Sequence, residues 1–145
     1  MSKKTKTILP KSIAADPEQW SAQSKHTVSY LMGFVREYTD ETFDCRRCGA
    51  ACVFTAEDQK YTFEVKKASI DQGRKFCAAC WSESHRLKAT LADFESRWAA
   101  EKRVLETDHE FLGGWLAQLD RWKEFEPYKQ DIARINLLRR LLGLD

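Results

Sequence analysis

The chain has 145 residues, 43% of them hydrophobic and 32% charged, with 24 Lys and Arg against 22 Asp and Glu. These values exclude wholesale disorder and fibrous classes, and a formal net charge of +2 supplies no bulk field for nucleic acid. Five cysteines and five tryptophans are the unusual counts.

Residues 1–15 carry Lys3, Lys4, Lys6 and Lys11 with no acidic partner and few bulky apolar side chains. Such a stretch buries too little area to offset its ordering entropy, so a mobile basic arm is expected. Ile8-Leu9 before Pro10 falls far short of the roughly 7–15 apolar residues of a secretory leader. No window approaches the ~18 apolar residues of a transmembrane helix, so no membrane partner is expected. The expected location is cytoplasmic, where clustered cysteines stay reduced and bind metals more readily than they form disulfides.

Residues 16–40 form a helical or irregular lead-in. Asp16-Pro17-Glu18-Gln19 predicts a helix start, with Asp as cap, Pro in the first turn and acids at the positive dipole end. That helix would carry Trp20 toward Lys25. Residues 26–38 are rich in apolar side chains without a clear period.

Residues 41–81 hold every cysteine. Within them, Thr55-Ala56-Glu57-Asp58 resembles a capping box and predicts a short helix through about Lys67. The alternation of Tyr61, Phe63 and Val65 argues for a strand instead.

From Ser82 to residue 145 the pattern is amphipathic and helical. Leu87, Leu91, Phe94, Trp98 and Leu105 mark one apolar stripe, and Phe111, Leu112, Trp115, Leu116, Leu119 and Trp122 a second. Gly113-Gly114 weakens the second by roughly 1 kcal/mol per glycine. A last stripe of Ile132, Ile135, Leu138 and Leu142 ends at Gly143, a C-terminal cap residue. The predicted fold is mainly α with a small zinc-ribbon module: a four-cysteine zinc ribbon followed by a helical hairpin or small helical bundle.

Cys45-Arg46-Arg47-Cys48 and Cys77-Ala78-Ala79-Cys80 are two Cys-x-x-Cys pairs with 28 residues between them. Two intervening residues let a tight turn aim both sulfurs at one point while backbone N–H groups face the thiolates. Two such turns supply four soft ligands, the set that tetrahedral zinc takes at about 2.3 Å. Four sulfurs close the coordination sphere, which predicts one structural Zn2+ held by Cys45, Cys48, Cys77 and Cys80. A rubredoxin-like iron redox centre uses a similar arrangement and stays open as an alternative. Cys52 is expected to be a small apolar filler, and His85 a solvated helical residue.

Four thiolates add four negative charges and a divalent ion two positive, which brings the formal +2 to zero. Arg46, Arg47, Arg74 and Lys75 flank the two turns and would offset the local charge of the site.

The segments Phe43-x-Cys45-Arg46-Arg47-Cys48-Gly49, Phe54-Thr55-Ala56-x-x-Gln59-Lys60-Tyr61, Glu64-Val65-x-Lys67 and Cys77-x-x-Cys80 resemble the probable zinc-ribbon domain family of small bacterial proteins. The resemblance covers roughly residues 36–82. It implies the same four cysteines as zinc ligands and carries no activity with it. Relatives often hold tryptophan near positions 61–62, where this chain has Tyr61 and Thr62, and a basic residue at the position of Trp81.

The residues therefore point to a non-catalytic zinc-binding adaptor that engages another protein through its C-terminal helices, where Phe94, Trp98, Trp115, Trp122 and Phe125 could leave apolar area exposed. A nucleic-acid-binding ribbon using Arg46, Arg47, Arg74, Lys75 and the basic arm is the runner-up. The sequence offers no Ser/His/Asp set and no phosphate-cradling glycine loop, so no enzymatic activity is expected.

Overall fold

A computed structural model describes residues 12–144; most of the basic arm, residues 1–11, lies outside the described residues. The chain clusters into two units, Met1–Cys45 with Gly49–Lys75, and Arg46–Cys48 with Phe76–Asp145.

In the first unit, β1 (Ser12–Ala14) pairs antiparallel with β2 (Glu37–Thr39), placing Ile13 opposite Tyr38. The end of the expected arm is thus a strand, because Ile13 has a core to pack against. The lead-in helix also departs from expectation. Pro17–Gln19 makes one 3-10 turn, and Trp20 then turns extended, with φ −67° and ψ 164°. Asp16 makes no side-chain cap bond. Burial of Trp20 overrides the local signal: its indole is 3% exposed and donates to the Tyr38 hydroxyl at 2.8 Å. A second 3-10 turn, Ser24–His26, precedes the one-turn helix α1 (Val28–Leu31).

β3 (Glu41–Asp44) and β4 (Ala51–Phe54) form an antiparallel hairpin whose tip carries the first cysteine pair. α2 (Ala56–Lys60) follows and continues as a π-helical turn over Tyr61–Val65. The helical reading of this segment holds. The alternation failed as a strand signal because only Phe63 enters the core, while Tyr61 and Val65 face solvent. Thr55 caps α2 by accepting from the Asp58 N–H at 3.1 Å. Trp20, Tyr38, Phe54, Ala56 and Phe63 make the core of this unit.

Glu64 is buried beside that core. Burial alone would raise its carboxyl, but hydrogen bonds from Lys60, Tyr38 and the Asp16 N–H together hold it below the ordinary value.

The second unit is helical. α3 (Ala78–Leu105) is kinked at Glu101, α4 (His109–Trp122) crosses the Gly113-Gly114 pair without a break, and α5 (Ile132–Leu141) completes the set. All three expected stripes meet in one core of Trp98, Leu105, Phe111, Leu112, Trp115, Leu119 and Leu138, with Phe94 and Leu91 packed against it. The Phe94 and Trp115 rings stack 5.8 Å apart, and the Arg134 guanidinium lies 4.8 Å from the Trp115 centroid while pairing with Glu95. Gly143 adopts φ +71° and closes α5: its N–H reaches the Arg140 carbonyl and the Leu144 N–H reaches that of Arg139, a Schellman cap.

Two outcomes follow. A methyl group added at Gly113 meets nothing within 4 Å, so Gly113→Ala should stabilise the protein by about 1 kcal/mol in denaturant titration. Glu64 has a depressed carboxyl in the fold, so its contribution is present above pH 4.5 and disappears as pH falls through the lowered value. Glu64→Gln should therefore lower the melting temperature at pH 7, and the gap from the parent should narrow in acid; a constant gap contradicts the assignment.

Candidate metal centre

The first cysteine pair sits in the loop that joins β3 to β4. The Cys45 N–H donates to the Ala50 carbonyl at 2.9 Å, and the Gly49 N–H to the Cys45 carbonyl at 2.9 Å. These bonds coil the backbone around the sulfurs. The coil needs a left-handed residue after Cys48, and Gly49 supplies it at φ +74° without the strain a Cβ would bring.

The second pair is built differently. Helix α3 begins at Ala78, four residues earlier than the sequence pattern suggests, so both cysteines lie at its N-terminus. Cys77 is the N-cap, and its Sγ accepts from the Cys80 N–H at 3.5 Å. The N-terminal end of the helix carries the positive end of its dipole. The helix signal was hidden because Cys is a rare cap and Ala78-Ala79 adds no apolar period.

The four sulfurs of Cys45, Cys48, Cys77 and Cys80 lie within 4.8 Å of one another. Cys48 Sγ and Cys77 Sγ are 3.8 Å apart. A regular tetrahedron with ligand arms of about 2.3 Å has edges of about 3.8 Å, whereas a disulfide requires about 2.05 Å. The spacing therefore suits four ligands around one ion. Cys45 and Cys80 are buried and Cys48 is exposed. Every candidate ligand read from the sequence joins the set. Cys52 stays outside it, its Sγ on the Ala50 carbonyl at 3.3 Å. His85 is also outside, packed on the Trp81 ring at 3.9 Å.

Arg47 joins the site from the middle of the first turn. Its Nη1 donates to Cys80 Sγ at 3.6 Å and to Glu83 at 2.7 Å. The bond to Cys80 raises the guanidinium pKa most; burial opposes it, and Glu124 and Glu83 add to it.

Sequence reasoning missed the work of Gln59. Its buried carboxamide donates to the Thr39 and Phe54 carbonyls, closing the β2 and β4 ends over α2. Ala56 beside it is fully buried, and its N–H reaches Asp40. The Phe54-Thr55-Ala56-x-x-Gln59 motif is thus a structural lock between hairpin and helix.

A cysteine turn on a hairpin followed by a cysteine pair opening a helix defines a treble-clef zinc-binding module. Residues 39–89 match the family described as a probable treble clef domain. The expected four-cysteine zinc-binding module is present, and its second half is a helix start. No curated protein and no solved structure shows significant similarity to the chain.

The core of the helical unit uses no cysteine ligand. A chelator should therefore raise amide hydrogen exchange at residues 45–50 and 77–81 while residues 111–119 stay protected. Equal loss of protection in both places contradicts this separation.

Proposed function

We propose that the protein is a non-catalytic, cytoplasmic adaptor whose treble clef carries one structural zinc ion and whose exposed apolar residues engage another protein. Four sulfur ligands leave no coordination position for water or substrate, which supports a structural ion. Zinc fits the all-cysteine set, and treble clef domains typically bind it. No helix among the described residues is long and apolar enough to cross a membrane.

The aromatic residues that suggested docking through the C-terminal helices are largely consumed by packing. Trp98, Trp115 and Phe125 are buried, and Phe94 packs on the same core as Trp115. In the helical unit Val104, Tyr128 and Ile132 also stay in solvent, but they are spread over residues 104–132, whereas one cluster stands out in the first unit. Val28, Leu31, Met32 and Phe34 are 65%, 69%, 65% and 67% exposed, all within seven residues of one tight turn. That concentration is the observation that carries the adaptor reading, since exposed apolar side chains gathered at one place mark binding surfaces. The nucleic-acid reading is weaker because two of its basic residues are committed to carboxylates: Arg47 to Glu83 and Glu124, Arg74 to Asp58.

A photo-reactive amino acid placed at Leu31 or Phe34 in cells should trap one defined protein, identified by mass spectrometry. The same probe at the exposed Arg103 should not. Equal labelling from all three positions rejects the adaptor surface.

A further inference from the structure

The Arg47 guanidinium is held on every side. Nε donates to Glu124 Oε2 at 3.1 Å, and Nη2 lies 3.0 Å from the same oxygen. Nη1 and Nη2 reach the two oxygens of Glu83 at 2.7 and 3.2 Å. The plane rests on the Phe125 ring, 4.5 Å from its centroid. Phe125 is itself 2% exposed, packed between Phe76 and Trp122. One N–H of Nη1 remains, and it points at Cys80 Sγ, 3.6 Å away. All five donors of the guanidinium then have an acceptor.

Charge neutralisation does not explain this arrangement. Glu83 also pairs with Arg121 at 2.8 Å, so two arginines and two glutamates cancel locally. What reaches the sulfur is one oriented N–H. We propose that Arg47 is a positioning residue for the metal centre: it fixes the Cys80 thiolate in its binding orientation, and Glu83, Glu124 and Phe125 fix Arg47. The inference rests on the metal-binding reading above and adds a named residue to it. A hydrogen bond to a ligating thiolate draws charge from sulfur and locks its lone pairs, and outer partners of this kind typically change metal affinity by about 10–100-fold.

Cobalt titration of the metal-stripped full chain tests this. Co2+ is a tetrahedral probe whose sulfur-to-metal charge-transfer band reports on each thiolate. The parent should bind one Co2+ with a thiolate spectrum. Arg47→Met should bind about 10–100-fold more weakly with a displaced charge-transfer band. Arg47→Lys keeps the charge but loses the planar fork, and should not restore the parent spectrum. Arg121→Met removes an ion pair from Glu83 without touching sulfur, and should leave the band in place. Should Arg47→Met fail to fold, Glu124→Gln keeps the arginine, removes one brace, and should displace the band in the same direction. Parent-like affinity and band position in Arg47→Met overturn the positioning role while leaving the metal site intact. A parent protein that binds no Co2+ overturns the metal reading itself.

Discussion

Four thiolates cannot share a space 4.8 Å across without a cation among them. Like charges at such distances repel strongly in a partly desolvated environment, and two of the four ligands are buried. A divalent cation held among the four sulfurs would remove that repulsion. The local structure on both sides suits such a site. Backbone bonds from the Cys45 and Gly49 N–H groups fold the hairpin turn, the first turn of α3 brings its dipole and the Cys80 N–H on Cys77 Sγ, and Arg47 brings an oriented donor to Cys80.

Each unit also has a reason to fold that does not involve sulfur. In the first, an indole-to-phenol hydrogen bond and a buried carboxamide tie strands and helix together around Phe54 and Phe63. In the second, Trp98, Phe111 and Trp115 interlock with Phe94 in a cluster of edge-on and stacked rings. Buried aromatic pairs of this kind add to area burial, which is how three helices make a stable core. A bound metal would act on the hairpin tip and the start of α3, outside both of these cores.

The cluster of four cysteines was legible in the sequence because paired Cys-x-x-Cys spacing is the pattern that tetrahedral coordination selects. The three C-terminal helices were legible because amphipathic periodicity follows from one-sided burial, and helix α4 tolerates two glycines because its buried face is dense enough to offset their cost. The lead-in was not legible. Asp16-Pro17-Glu18 is a sound local start signal, yet Trp20 gains more from the Tyr38 contact than a continued helix could return. The start of α3 was missed for a related reason: its cap is Cys77, so the usual cap residues are absent. Gln59 was visible as a motif member, but its partners are carbonyls that no local pattern reports, one of them at Thr39 in another strand.

The claim on which everything else depends is that one zinc ion is bound by sulfur alone. X-ray absorption on the purified protein addresses it directly. The account predicts a zinc edge and a first shell of four sulfur scatterers at about 2.3 Å. An iron edge, or nitrogen or oxygen in the first shell, would contradict it.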